Sequence, residues 1–138
     1  MPVKVLIVED YQPIRELGVR LLLANGYAPI EAGSGEAALD VAPVEKPDII
    51  MLDIGLPGID GWETLQRLQS RSETAAIPVV IVTAMSSGSD IVRGYSLGAA
   101  AYIVKPYRID ELLGTLEAVL SGVRPALPED AAARRLPA

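Results

Sequence analysis

Neither cysteine nor histidine occurs among the 138 residues. Without cysteine there is no disulfide, no thiolate nucleophile and no thiolate metal site. That fits a reducing compartment, and the cytoplasm is the expected one. Without histidine there is no imidazole general base, no His-ligated zinc and no phosphohistidine on this chain. Long apolar runs are also missing. None approaches the ~18 residues that cross a bilayer. The opening Met-Pro-Val-Lys-Val-Leu-Ile-Val runs straight into acidic residues with no cleavage-site pattern, so neither a membrane span nor a signal peptide is expected. Positive charge is scarce as well. Twelve Lys and Arg stand against 18 Asp and Glu, a formal net charge of −6, which argues against direct nucleic-acid binding because that needs cations to neutralise phosphates. From Gly122 onward, three arginines against Glu129 and Asp130 leave +1, so the preceding residues carry −7. An acidic body suits a divalent cation, although acids kept for solubility are the commoner cause of such a balance.

What is present is a regular alternation. The length fits one domain with a self-sufficient core, and 50% hydrophobic with 22% charged residues is a globular composition. Residues 3–8, 47–53 and 78–82 are short apolar runs rich in Val and Ile, and residues 27–32 and Ala101–Val104 complete five predicted strands. Between them lie helical patterns. Residues 13–25 carry Ile14, Leu17, Leu21 and Ala24 at helical spacing, with Asn25-Gly26 as a stop signal. A second helix starts at Ser34, runs through Ala37, Ala38 and Val41, and is expected to break at Pro43. Residues 62–72 form an amphipathic helix with Leu65 and Leu68 inward, residues 86–97 a weaker one containing Gly88 and Gly94, and Ile109–Leu120 a last one with a broad leucine stripe. Residues 1–121 are therefore read as one domain. Residues 122–138, rich in Pro and Ala and without periodicity, are read as a mobile tail. Strands of continuous apolar character alternating with helices predict a parallel sheet covered on both faces, whose functional crevice lies beyond the carboxyl ends of the strands.

The polar residues at those strand ends form one set. The first strand ends in Glu9-Asp10, the third in Asp53, the fourth in Thr83 and the fifth in Lys105-Pro106. Each has a plain structural alternative: a solvated loop for the acidic pair, a turn cap for Asp53, a β-former or N-cap for Thr83, a surface site for Lys105. Taken singly, each alternative is the better reading. All of them falling at strand ends along one rim is what favours a site. Three close carboxylates repel one another, and a hard divalent cation such as Mg²⁺, which takes a few oxygen ligands and keeps several waters, relieves that. Asp53 on the central strand is the candidate nucleophile, because carboxylates form acyl phosphates. Mg²⁺, Lys105 and the Thr83 hydroxyl would spread charge over a transferred phosphoryl group.

These residues resemble the receiver domains of bacterial two-component response regulators. The resemblance covers residues 3 to about 120 and rests on Glu9-Asp10, on Asp53-Ile54-Gly55-Leu56-Pro57-Gly58-Ile59-Asp60-Gly61, on Thr83-Ala84, on Gly98-Ala99 leading to Tyr102, and on Lys105-Pro106-Tyr107. It implies a flavodoxin-like (βα)5 three-layer α/β sandwich with a five-stranded parallel sheet in the order 2-1-3-4-5. It implies that Glu9, Asp10, Asp53 and the backbone carbonyl of Gly55 hold Mg²⁺. Asp53 would accept a phosphoryl group from a phosphohistidine on a partner histidine kinase or histidine phosphotransfer protein. Thr83 would then move toward the phosphoryl group and Tyr102 inward behind it, rearranging the face of the fourth helix, fifth strand and fifth helix and changing affinity for a downstream protein partner. Tyr102 read without the resemblance is an ordinary strand aromatic. Lys105-Pro106 is expected to be cis. The implied state is a monomer or a phosphorylation-dependent dimer, and the implied class is a switch, not an enzyme, catalysing only its own phosphoryl transfer and acyl-phosphate hydrolysis.

Some positions depart from the family pattern. Gly55 and Met85 stand two residues after Asp53 and Thr83, where side chains tune water attack on the acyl phosphate; Gly leaves room for water and Met excludes it. Arg108 replaces a common capping residue, which should weaken the start of the last helix and add positive charge beside Lys105. Ala100 and Ala101 make the loop before the fifth strand apolar, a partner surface or simply two small residues tolerated in a loop. Three other functions compete. A fragment of a larger transcription factor or hybrid histidine kinase is one. An aspartyl-phosphate phosphatase is weaker, since phosphatases of the haloacid dehalogenase type carry a second Asp where Gly55 stands. A receiver that never takes phosphate is disfavoured by the complete acidic, Thr and Lys set.

Overall fold

The computed structural model describes residues 2–122. The expected tail, residues 122–138, lies outside them apart from Gly122. Five strands and five helices alternate along the chain: β1 (Lys4–Val8), α1 (Gln12–Ala24), β2 (Ala28–Ala32), α2 (Gly35–Glu45), β3 (Ile49–Leu52), α3 (Gly61–Ser70), β4 (Val79–Thr83), α4 (Gly88–Ser96), β5 (Ala101–Val104) and α5 (Ile109–Leu120). All strand pairs are parallel, in the order β2-β1-β3-β4-β5. This is the parallel sheet expected from the strand pattern, in the flavodoxin-like order that the family resemblance implies.

The period-2 alternation of the strands divides the core in two. Leu6, Val8, Ile50, Leu52 and Ile81 point to one face, where α2, α3 and α4 pack with Ala38, Leu39, Leu65, Leu68 and Ile91. Val5, Ile7, Ile49, Met51, Val80 and Val82 point to the other, covered by α1 and α5 through Leu22, Leu112, Leu116 and Val119. The central strands β1 and β3 are buried on both faces, and each fully buried Leu or Ile contributes on the order of 1.5–3 kcal/mol. Among the described residues no helix is long and apolar enough to cross a membrane.

Helix starts follow capping chemistry where the sequence supplies it. Ser34, Asp60 and Ser87 accept from the amides of Ala37, Glu63 and Asp90 at 3.0, 2.9 and 3.1 Å. Arg108 offers no side-chain cap, as expected; its amide donates to Glu111 Oε1 at 3.5 Å. Its guanidinium turns to Asp110 at 3.1 Å instead of adding its charge to Lys105.

One expectation is corrected, and two local readings are sharpened. α2 does not break at Pro43 but continues through it to Glu45. The ring removes the amide that would bond the Leu39 carbonyl, and Arg71 Nη1, from beyond the end of α3, donates to that oxygen at 3.4 Å. In α1 the apolar stripe is not the buried face. Gly18 and Leu22 pack inward, while Ile14 and Leu17 are 43% and 63% exposed. Ala101 is buried in β5 and half-buried Ala100 packs against the core, which favours the plainer reading of two small residues tolerated there.

Candidate functional site

The carboxyl ends of β1, β3, β4 and β5 bring the predicted polar residues to one rim, and the geometry sorts them. Asp53 follows the last residue of β3; its amide donates to the Val8 carbonyl at 3.1 Å, which ties it to β1. Glu9 continues β1, with its amide on the Ala32 carbonyl at 3.1 Å. Lys105 continues β5, with its amide on the Thr83 carbonyl at 2.8 Å, and the Lys105-Pro106 bond is cis. Each side chain therefore hangs from a strand whose position the sheet ladder has already set.

Lys105 Nζ bridges two carboxylates, Glu9 Oε1 at 2.5 Å and Asp53 Oδ2 at 3.1 Å. The carboxylates are 7% and 14% exposed. Partial burial by itself disfavours the ammonium, but the hydrogen bond it donates to Glu9 and the charge of Asp53 outweigh it, and the Lys105 pKa is raised. Asp10 is exposed, and one carboxylate oxygen from each of Glu9, Asp10 and Asp53 lies within 4.8 Å of the other two. Three carboxylates against one ammonium leave a local charge of −2. Oxygens at about 2.1 Å around Mg²⁺ stand roughly 3–4 Å apart, so a small contraction brings this set into the range of one hard cation. The donor chemistry and spacing fit that ion. The Asp53 carboxylate is further oriented by the Gly55 amide, which donates to Oδ1 at 3.0 Å. An apolar floor that includes Ile7, Met51 and Val82 lies beneath Glu9, Asp53 and Lys105, around a cavity of about 30 Å³.

Thr83 is not hydrogen-bonded to this cluster. It is buried and its hydroxyl accepts from the Met85 amide at 3.4 Å, not from Lys105. Tyr102 is already inward, 3% exposed, with its hydroxyl donating to the Met85 carbonyl at 2.7 Å. Burial first, then the charges of Asp90 and Asp53, push its pKa far above the ordinary phenol range. The backbone of Met85 thus joins Thr83 to Tyr102. The sequence reading weighed only the Met85 side chain; a backbone role leaves no residue-type signal.

Gly61, part of the quoted Asp-Gly pair, has a role that spacing did not reveal. A Cβ there would press on Ile54 Cα and lie 2.5 Å from the Asp53 carbonyl oxygen. α3 therefore starts directly against the backbone that carries Asp53, and only a residue without a side chain allows it. Arg15 was missed altogether, because a cation one turn into α1 belongs to no strand-end pattern. Its Nη1 donates to the Glu9 carbonyl at 2.9 Å.

Known proteins share both the sequence pattern and the fold. The model of the response regulator receiver domain family matches residues 5–117. The phosphate regulon transcriptional regulatory protein PhoB of Escherichia coli is 39% identical over 127 residues, 92% of this chain and 56% of that protein. The response regulator MprA of Mycolicibacterium vanbaalenii is 37% identical over 132 residues, 96% of this chain and 55% of that protein. The chain thus spans a little over half the length of these curated relatives. Among solved structures, the chemotaxis protein CheY4 of Vibrio cholerae superposes with a TM-score of 0.81 at 30% identity, covering 86% of this chain and 99% of that one. A two-component response regulator of the LuxR family from Aurantimonas superposes with a TM-score of 0.89 at 27% identity, covering 98% and 99%. With the family match spanning most of the chain and the acidic pocket where a phosphoacceptor site requires it, this chain belongs to the response regulator receiver domains of two-component signalling.

Proposed function

We propose that the chain is a phosphorylation-activated switch whose phosphoacceptor is Asp53. The observation that carries this reading is the sharing of one ammonium, Lys105 Nζ, between the carboxylates of Glu9 and Asp53 inside a three-carboxylate cluster. Glu9, Asp10, Asp53 and the Gly55 carbonyl would hold Mg²⁺. When bound, the ion neutralises charge on the carboxylates and the incoming phosphoryl oxygens. Asp53 attacks the phosphorus of a phosphohistidine in line, and the imidazole departs as the P–N bond breaks. Lys105 and the Thr83 hydroxyl take up charge on the phosphoryl oxygens, so positioning and electrostatics supply the catalysis.

The donor histidine lies outside these 138 residues, which contain none, on a histidine kinase or histidine phosphotransfer protein. An exposed apolar groove of about 510 Å³ lies beside Lys105, between α1 and the β5–α5 loop, and supports docking of that donor. The output runs through Thr83, Met85 and Tyr102 to the face of α4, β5 and α5 and alters affinity for a downstream protein. The family is generally a non-enzymatic signalling module, so no external substrate is turned over. A second reading has support in the matched regulators being nearly twice as long as the matched stretch: the switch acts on a further domain of the same polypeptide.

Incubation with acetyl phosphate and Mg²⁺, followed by intact mass, tests the reading. One phosphoryl group should appear and be lost with Asp53→Asn or with EDTA. An adduct that survives Asp53→Asn, or none in the wild type, would sink it.

A further inference from the structure

The two acidic residues at the end of β1 differ in how they are held. Glu9 is buried, paired with Lys105, and accepts from the Tyr11 amide at 3.2 Å through Oε2. Asp10 is exposed, and its side chain has no hydrogen bond among the described residues. What fixes Asp10 relative to Glu9 is the peptide unit between them, and a peptide is planar, so holding its oxygen holds its whole plane. That oxygen, the Glu9 carbonyl, accepts from Arg15 Nη1 at 2.9 Å. The same guanidinium donates through Nε to Glu31 Oε1 at 3.0 Å, on β2. It lies beside Gly33, 3.4 Å from where a Cβ would stand. The Arg15 side chain is 17% exposed. One planar fork thus braces the Glu9–Asp10 peptide against the neighbouring strand.

We propose that Arg15 is a positioning residue for the divalent-cation site: by bracing the peptide shared by Glu9 and Asp10 against Glu31, it sets the affinity of the carboxylate cluster for Mg²⁺. This rests on the reading of Glu9, Asp10 and Asp53 as the cation site. The sign of the effect separates positioning from plain electrostatics. Arg15 is a cation close to an acidic cluster, so on Coulombic grounds its removal should tighten Mg²⁺ binding. If it positions the ligands, its removal weakens binding.

The experiment is Mg²⁺ titration of the full chain by calorimetry, with thermal unfolding run in parallel. Arg15→Met should raise the Mg²⁺ dissociation constant about 10-fold, the lower end of what loss of an outer partner of a metal ligand costs. Arg15→Lys keeps the charge but cannot reach both oxygens as a fork, and should raise it about 3-fold or more. Acetyl phosphate labelling of both variants should recover to near the wild-type rate at saturating Mg²⁺, a rescue that a general loss of structure would not permit. If Arg15→Met does not fold, Arg15→Lys decides. Wild-type or tighter Mg²⁺ binding in Arg15→Lys, or in a folded Arg15→Met, overturns the inference alone. A wild-type chain that binds no Mg²⁺ overturns the cation-site reading and this inference with it.

Discussion

The two faces of the sheet are packed by different rules. On the face covered by α2, α3 and α4, the packing is so close that glycine is required at Gly61 and favoured at Gly94. A Cβ on Gly61 would meet the backbone of Ile54 and Asp53, and one on Gly94 would lie 2.8 Å from Ile81 and 2.9 Å from the Tyr102 ring. Arg93 of α4 adds a guanidinium 4.4 Å from the Trp62 ring centroid. On the face covered by α1 and α5, Gly18 sits at an ordinary 3.5 Å from Ile7, and Ile14, Leu17 and Ile109 line an open groove. The tight face supplies a rigid frame under Asp53 and Tyr102. The loose face leaves apolar surface beside Lys105 that the fold does not consume.

The sharpest test exchanges one hydrogen for a methyl on each face. Gly61→Ala should destabilise by about 3 kcal/mol or more, because backbone cannot yield as a side chain can, and it should slow acetyl phosphate labelling by displacing Asp53. Gly18→Ala meets only ordinary contact and gains about 0.5–1 kcal/mol of helix propensity, so its stability should hold or rise. Urea unfolding of the two variants measures both. Equal losses would erase the contrast between the faces.

Gly94→Ala should fall between them. The new methyl must displace the tips of Ile81 and Tyr102, at a cost of about 1–2 kcal/mol after the helix gain. The ring moved is the one whose hydroxyl holds the Met85 carbonyl. Loss of Tyr102 protection should accompany the loss of stability, read by tyrosine absorbance at high pH. A stable variant with Tyr102 still protected would show that α4 can shift without disturbing the Tyr102 ring.

The loose face is also where sequence and structure diverged most usefully. β5 and α5 were read at their observed bounds, Ala101–Val104 and Ile109–Leu120, because a buried apolar run and a leucine stripe are local signals. The strand-end set was legible for the same reason: parallel strands all end at one rim, so Glu9, Asp10, Asp53 and Lys105 had to meet. The stripe in α1 was equally local, yet the helix leaves Ile14 and Leu17 exposed while Gly18 and Leu22 pack inward. Pro43 misled because its compensation, the Arg71 guanidinium, reaches the freed Leu39 carbonyl from 32 residues further along the chain. The Met85 relay and the Arg15 brace use backbone atoms, which carry no residue code.

Leu17→Ser and Ile109→Ser probe the groove itself. Both side chains are more than half exposed, so each change should shift stability by no more than about 0.5 kcal/mol. Labelling by acetyl phosphate should be unchanged. Transfer from a phosphorylated histidine donor protein should fall about 10-fold, as for loss of an apolar anchor worth about 1.4 kcal/mol. A fall in both reactions would place the residues in the chemistry; a fall in neither would leave the groove without a donor.

The smallest effect vanishes at neutral pH and separates the faces by titration. Tyr102 packs into the three-helix face and Tyr107 against the other. Burial raises both phenols; at Tyr107 the nearby Lys105 charge pulls back down, while at Tyr102 Asp90 and Asp53 push further up. A phenol whose folded pKa exceeds its unfolded value of 10.0 contributes stability that is intact below pH 10 and lost as pH rises toward the folded value, because the unfolded chain then binds fewer protons. Lys105, raised above 10.5, adds loss of the same sign. Tyr102→Phe should therefore flatten the alkaline limb of stability more than Tyr107→Phe, measured as the slope of urea midpoints above pH 10. Equal slopes would mean that the two rings feel the same burial, and the three-helix face would then hold Tyr102 no more tightly than the open face holds Tyr107.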